Sequence, residues 1–477
     1  MPSDLKKKAV KGMLWSTIER FSTQGINFLF TIILARLLSP SDYGTIAMIT
    51  IFFAICQTFI DSGFANALIR KIDRTEADKS TAFYFNIFVG LICYLIIFIS
   101  APFIATFYNQ PILTPVTRIL GINLILQSFC IIQQAELTSK INFKTQAKIS
   151  LIGVIISGLL GLCMAYNGFG VWSLVTQALS SSLIRTLLLW ILVRWRPTQK
   201  FSKESFRNLF SYGSKLLISG LLDTTYNNIY PLVIGKFYTP AQLGIYSRAL
   251  HFGQFPSETF TRILQRVSFP ALSTIQNEAD RLKNNYIKFL KLSSFLVFPT
   301  MMLLAALAKP LVLFLLTDKW SEAIPLLQIL CFSLMWYPVH AINLNLLQVK
   351  GRSDLFLRLE IIKKCIGIAI LVITLPRGIR AMCYGMVVSA YISLIINTYY
   401  TGKLISIGFL KQMQFLFPIF LNSIIMGLIA WGLTHIISSN LLQLIICGIA
   451  GIIYYAASNK LIKSSELDEL VSIVRNK

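Results

Sequence analysis

Apolar runs of about twenty residues recur along almost the whole chain, and the loops between them are short. A helix of that length crosses a bilayer core of about 30 Å, and lipid offers no partner to an unpaired backbone group. The chain is therefore expected to fold as an all-α polytopic membrane protein. The spans are read as fourteen, at approximately 14–37, 43–67, 81–105, 116–138, 149–166, 170–193, 214–235, 243–267, 289–316, 323–348, 357–375, 381–401, 415–437 and 441–457. The longest connector, near 194–213, is too short to fold as a soluble domain.

Charge follows the loops. A net charge of +24 would suggest a nucleic-acid partner in a soluble protein, but only 13% of this chain is charged, about half the usual share. Lys and Arg fill alternate loops: Lys6 to Lys11, Arg70 to Lys79, Lys140 to Lys148, Arg194 to Arg207, Arg281 to Lys288, Lys350 and Arg352, Lys403 and Lys411, and the tail. The opposite loops hold Lys236, Lys319, Arg377 and Arg380. By the positive-inside rule both termini are expected in the cytoplasm, nucleic acid is not expected as a partner, and the number of spans is even. The N-terminal Lys6-Lys7-Lys8 run opens a full-length span rather than a cleavable leader. The eight cysteines lie in or beside apolar runs without a Cys-x-x-Cys pair, which points to buried thiols rather than metal or redox chemistry.

The chain also repeats itself. Ser39-Pro40-Ser41-Asp42-Tyr43-Gly44 returns 200 residues later as Thr239-Pro240-Ala241-Gln242-Leu243-Gly244, with Asn27 over Asn227, Thr23 over Asp223 and Arg36 over Lys236. An offset of six spans means parallel repeats about an axis along the membrane normal. The expected division is a lobe at 1–213 (spans 1–6), a second at 214–402 (spans 7–12), and 403–477 as two appended spans and a tail. That tail has amphipathic spacing and is expected to dock on the inner membrane surface.

The eighth span is too polar for lipid. At 100° per residue Arg248, His251, Phe255, Glu258, Arg262 and Arg266 share one narrow stripe. Such a stripe must face a bundle interior or a wet cavity. The competing explanation is a salt-bridged packing seam, but three arginines against one glutamate leave positive charge to be matched. Span 1 adds Glu19, Arg20, Thr23 and Asn27, and span 7 adds Asp223, Tyr226, Asn227 and Tyr230. Polar faces at matching places suggest a cavity at the repeat interface. Taken singly, Asn27, Asn227 and Thr23 also suit plain interhelical hydrogen bonding. Arginine forks match phosphate oxygens, so Arg20, Arg248, Arg262 and Arg266 with His251 are candidates to hold a pyrophosphate, and Tyr226 and Tyr230 suit a sugar. Asp61, Asp223, Glu258 and Glu19 are candidates for proton or sodium coupling, or are partners of neighbouring arginines; Glu258 stands four residues before Arg262. Walker A, GxSxG, HExxH and DxD patterns are missing, so no enzyme, cofactor or metal is expected.

Several stretches resemble the polysaccharide transporter family: Gly12-Met13-Leu14-Trp15-Ser16, Leu34-Ala35-Arg36-Leu37-Leu38-Ser39-Pro40-Ser41-Asp42-Tyr43-Gly44, Asp61-Ser62-Gly63-Phe64, Gly168-Phe169-Gly170-Val171-Trp172-Ser173-Leu174 and Leu243-Gly244-Ile245-Tyr246-Ser247-Arg248-Ala249. The likeness is to Wzx-type lipopolysaccharide and exopolysaccharide flippases of the colanic-acid branch, within the superfamily of multidrug, oligosaccharide-lipid and polysaccharide exporters. It covers nearly the whole chain. It implies a two-lobed bundle with alternating access, in the inner membrane of a bacterium. It also implies flipping of an undecaprenyl-pyrophosphate-linked oligosaccharide to the periplasmic leaflet, among membrane lipids and beside polysaccharide polymerase machinery. The family's cationic cavity would correspond to Arg20 and the Arg248–Arg266 stripe. Two other functions are weighed. A cation-coupled multidrug exporter would want an acidic, aromatic pocket, against the arginine excess. A membrane glycosyltransferase or polymerase would want a larger loop than this chain has.

Overall fold

The computed structural model describes residues 22–61, 64, 67–68, 73–140 and 142–475. The regular structure of these residues is helical, and no strand occurs among them. In chain order the helices are α1 over 22–37, α2 (Pro40–Asp61), α3 (Glu76–Tyr108), α4 (Leu113–Ser128), α5 (Ile131–Ser139), α6 (Phe143–Tyr166), α7 (Val171–Leu192), α8 (Lys203–Asn227), α9 (Ile229–Phe237) and α10 (Pro240–Thr274). There follow α11 (Ala279–Ala306), α12 (Ala308–Leu316), α13 (Ala323–Leu334), α14 (Tyr337–Val349), α15 (Ser353–Thr374), α16 (Ile379–Ile405), α17 (Phe409–Thr434), α18 (Asn440–Leu461) and α19 (Ser465–Arg475).

Among the described residues nine helical stretches are long and apolar enough to cross a membrane: α2, α3, α6, α7, α11, α13 with α14, α16, α17 and α18. A tenth is counted if α4 and α5, bent by 41°, form one span. These ten match ten of the fourteen expected spans. Helix also occupies α8 with α9, α10 and α15 in three of the other four expected spans, where polar or charged side chains among the apolar ones lower the hydropathy. Of the first expected span, 14–37, only 22–37 lies among the described residues, and it is helical as α1.

The chain packs as two compact units, 1–244 and 245–477. The seventh expected span, α8 with α9, packs along α2 in the first unit. There Thr58 and Thr224 share a hydroxyl contact of 3.0 Å, beside Gly220.

The two copies of the repeated turn are built alike. Ser39 and Asp42 close a reciprocal cap at the start of α2: the Ser39 N–H donates to Asp42 Oδ2 at 2.9 Å, and the Asp42 N–H donates to Ser39 Oγ at 3.2 Å. Thr239 and Gln242 repeat this at the start of α10, at 3.1 and 3.3 Å. Pro40 and Pro240 then occupy the first helical position, where a missing N–H costs nothing. The two helix starts cross. A Cβ added to Gly44 would lie 1.7 Å from the Pro240 carbonyl oxygen, and one on Gly244 would lie 1.9 Å from that of Pro40.

The α6–α7 turn supplies a second junction. Gly168 and Gly170 have φ of +78° and +52°, which other residues adopt at a cost. Gly170 meets Asp42, whose Oδ1 would stand 3.0 Å from an added Cβ. Lys236 donates to the Phe107 carbonyl at 2.6 Å and lies over the Phe107 ring. It thereby binds the carbonyl end of α3.

In the second unit α17, expected as an appended span, lies along α11. A buried amide network ties the unit together. Asn343 and Gln412 exchange hydrogen bonds at 3.0 and 3.1 Å, and the Thr401 hydroxyl donates to Asn343 Oδ1 at 2.7 Å.

The tail helix α19 engages protein through its acidic edge. Glu466 pairs with Lys291 at 3.0 Å and Glu469 pairs with Lys288. Two acids three residues apart meet two lysines three residues apart on α11. Burial pushes the Glu466 carboxyl up, but the Lys291 ion pair and a backbone N–H outweigh it and hold the group below its usual range. A carboxylate with a lowered folded pKa adds stability above its unfolded value and loses it as pH falls through the folded one. Acidification to about pH 3 is therefore expected to free α19, read as faster intrinsic-rate-corrected hydrogen exchange over Ser465–Arg475 than at neutral pH. Unchanged protection there would show that the pair does not hold the tail.

Candidate functional site

The site is built on α10. This helix runs for 35 residues through Pro256 and Pro270. One face is small and hydroxylic. Gly253 lies against Leu334, where an added Cβ would come within 2.7 Å of Cδ1. Ser257 donates to the Leu334 carbonyl at 2.7 Å, and Thr261 donates to the Ser257 carbonyl at 2.7 Å. Small residues four apart let the backbones of α10 and α13 approach closely. Tyr246, Ser268 and Leu272 continue this face and are fully buried.

The opposite face carries the stripe expected from the sequence. His251, Phe255, Arg262 and Arg266 are exposed on the unit that holds them, and the Arg262 side chain keeps 63% of its surface. Glu258 is half-buried and accepts an ion pair from Arg262, at the helical spacing that the sequence suggested. Arg248 differs. It is 8% exposed, and its guanidinium lies 5.7 Å from the ring centre of the fully buried Trp320. A cation over an indole face gains about 0.5–2 kcal/mol. Arg248 is thus fixed by protein, whereas Arg262 and Arg266 hold their charge outward. Guanidinium groups are costly to turn to hydrocarbon, so water is expected beside this face.

The other candidates divide between the units. Asp61, Asp223, Asn227, Tyr226 and Tyr230 belong to the first unit; Arg248, His251, Glu258, Arg262 and Arg266 belong to the second. Asp61, Asp223, Asn27 and Asn227 are exposed, while Tyr226 and Tyr230 are half-buried. Gln57 donates to Asp61 Oδ1 at 3.0 Å. Glu19 and Arg20 lie outside the described residues. No group of three or more His, Cys, Asp or Glu side chains suited to a metal ion occurs among the described residues.

Two features went unread in the sequence. The seventh span is not continuous. α8 ends at Asn227 and α9 begins at Ile229, with the Asn228 side chain donating to the Thr224 carbonyl at 2.8 Å. Pro231 is the cause, since it has no N–H for the carbonyl of Asn227 four residues earlier. Broken helices with freed carbonyls commonly line transporter binding sites. The second feature is α15, which turns Glu360, Lys363 and Lys364 to a half-buried side while Ile361 and Ile362 stay exposed. Charges three and four residues apart within the span at 357–375 were the available signal.

The second unit also contains an open apolar cleft of about 510 Å³ between α11, α13, α16 and α17, bordered by Phe332, Tyr384, Tyr391 and Trp431 with Gln328 as a polar group.

Comparison with known proteins places the chain in a family. The model described as polysaccharide biosynthesis protein matches residues 33–325. The chain is 24% identical over 438 residues to the teichuronic acid biosynthesis protein TuaB of Bacillus subtilis (strain 168), covering 91% of this chain and 90% of that protein. It is 25% identical to the lipopolysaccharide biosynthesis protein WzxC of Escherichia coli (strain K12), covering 83% and 80%. Among solved structures it is similar to the lipid II flippase MurJ in an inward closed conformation, with a TM-score of 0.76, 15% identity, and coverage of 94% of this chain and 99% of that one. At that identity the likeness speaks for the fold.

Proposed function

Because the chain belongs to the polysaccharide biosynthesis protein family, of multi-pass membrane transporters rather than enzymes, we propose that it flips an undecaprenyl-pyrophosphate-linked oligosaccharide. The movement is from the cytoplasmic to the periplasmic leaflet of a bacterial inner membrane, by alternating access, with both termini in the cytoplasm. The polysaccharide polymerase machinery would receive the product. The observation that carries this reading is the outward-held positive charge of Arg262 and Arg266 on a helix set among apolar spans. A lipid-borne pyrophosphate is a substrate whose charge matches that face and whose chain belongs in the bilayer. The names of the relatives, drawn from lipopolysaccharide and teichuronic acid biosynthesis, support a glycan cargo. The aromatic-edged cleft of the second unit supports an amphiphile over a small ion. Asp61, Asp223, Glu258 and Glu19 are proposed as coupling groups for a proton or sodium gradient.

Complementation tests the proposal. Strains lacking their own flippase, each making a different surface polysaccharide, receive this gene, and surface polymer is measured beside resistance to a panel of organic cations. Restored polymer in at least one strain, with unchanged resistance, is the expected result. Raised drug resistance without polymer in any strain would replace the proposal with a multidrug exporter.

A further inference from the structure

The open cleft of the second unit lies toward the end that carries Arg377 and Arg380, where α11 ends at Ala306, α13 begins at Ala323, α16 begins at Ile379 and α17 ends at Thr434. Two of its walls are helix faces. Tyr384, Val387 and Tyr391 line it from α16, and Ile424, Leu428 and Trp431 line it from α17. Spacings of three, four and seven keep each set on one side of its helix. Carried one turn outward, the α16 face brings Arg380 to the mouth, four residues before Tyr384. On the other wall Trp431 is held in place. Its ring meets that of His435 edge to face at 4.7 Å, and His435 Nδ1 donates to the Trp431 carbonyl at 3.0 Å.

The dimensions match one hydrocarbon chain. Arg380 to Tyr391 is eleven residues, about 16 Å at 1.5 Å per residue, and half of a bilayer core is about 15 Å. A methylene group fills about the volume of a water molecule, roughly 30 Å³, so the cleft of about 510 Å³ takes about seventeen of them. Gln328, an amide in the lining, turns its nitrogen to the Ala305 carbonyl at 3.3 Å and leaves the cleft apolar. Packing drives such contacts within a bilayer, and an unfilled cleft forfeits dispersion over its lining. The mouth changes chemistry where a lipid does. Tyr384 and Trp431 bring rings with polar tips toward the head-group level, and Arg380 lies beyond Tyr384. Asp318 and Glu322 are exposed just before α13, so the positive edge of the mouth is that of α16, where Arg377 and Arg380 are both exposed.

We propose that this cleft holds one acyl chain of an anionic diacyl phospholipid from the adjoining leaflet, with the lipid phosphate at Arg380. An arginine fork matches phosphate oxygens with two parallel hydrogen bonds. An undecaprenyl chain is far longer than a cleft that spans half a bilayer, so the fit is to a bilayer lipid and not to the tail of the proposed cargo. The seated chain fills the space between α16 and α17 and becomes part of the packing of the second unit.

Native mass spectrometry of the full-length protein in detergent tests this, with phosphatidylglycerol, phosphatidylcholine and undecaprenyl phosphate as probes. Phosphatidylglycerol should be retained about tenfold more tightly than phosphatidylcholine. Arg380→Gln should remove that preference and keep the weaker binding common to both lipids. Val387→Trp, which fills the cleft, should weaken both by about tenfold or more. Equal retention of the two phospholipids by the wild type, or a preference that survives Arg380→Gln, would overturn the proposal. So would undecaprenyl phosphate displacing phosphatidylglycerol at equal concentration, which would give the cleft to a polyprenyl chain. A second measurement needs no variant. Phosphatidylglycerol with a photoreactive acyl chain, in nanodiscs holding the wild-type protein, should label the peptides of Val387 and Ile424; labelling confined to other helices would overturn the proposal by itself. Neither readout involves transport, so both stand apart from the flippase reading.

Discussion

Replacing Gly44 or Gly244 by alanine is expected to cost this protein most of its stability. The cost is steric. An alanine Cβ at Gly44 would stand 1.7 Å from the carbonyl oxygen of Pro240, and one at Gly244 would stand 1.9 Å from that of Pro40. Both obstacles are backbone, at the fixed first turns of α2 and α10, so no side chain can swing aside. The helix starts must separate by more than an ångström, and each is held by its own reciprocal cap. Overpacking typically costs about 1–3 kcal/mol where side chains can adjust, and more is expected where they cannot. Thermal unfolding of the purified protein in detergent measures the effect. Gly432→Ala is the control, because nothing lies within 4 Å of an added Cβ there and the change sits in helix α17. It should be neutral or slightly stabilising. The double variant Gly44→Ala/Gly244→Ala should lose less than the two singles added together, since one separation relieves both clashes. Singles that melt with the control would mean that the two starts do not touch.

That crossing was half legible beforehand. Ser39 to Gly44 and Thr239 to Gly244 match in sequence, so a repeat could be read. That the two copies meet each other could not, because a glycine at a turn and a glycine at a contact look the same in one sequence. Ten apolar spans were legible for the plain reason that hydrophobic length is a local property. The α8–α9 break has its cause in Pro231, but hydropathy over a whole span carries no trace of a single missing N–H. The stripe on α10 followed from helical periodicity, and the Glu258–Arg262 pair from its spacing. The burial of Arg248 followed from nothing local: its partner Trp320 arrives from another element, and periodicity carries no information about what a helix packs against.

Reversing the charge of Arg262 and Arg266 is expected to abolish transport while leaving the protein in the membrane. The two side chains lie on the outward stripe of α10, opposite the packed face of Gly253, Ser257 and Thr261, so their removal opens no cavity. A hydrogen bond to a charged group is worth about 1.5–3 kcal/mol, and each 1.4 kcal/mol is tenfold. Arg262→Ala and Arg266→Ala should each lower surface polysaccharide in a complemented flippase-null strain by at least about tenfold, and the double glutamate variant should leave none. Lysine at either place should retain part of the activity, since it keeps charge but loses the two-pronged geometry. Arg248→Ala makes the informative contrast. Its guanidinium is buried over Trp320, so the loss should appear as less folded protein rather than as less transport per folded molecule. Glu258→Gln separates two roles for the carboxylate. If Glu258 merely restrains Arg262, freeing the arginine should tighten the hold on an anionic head and slow release. If Glu258 carries the coupling proton, transport should stop outright. Full activity in both alanine variants at normal protein levels would remove the arginine face from the mechanism and leave the family likeness without a binding site.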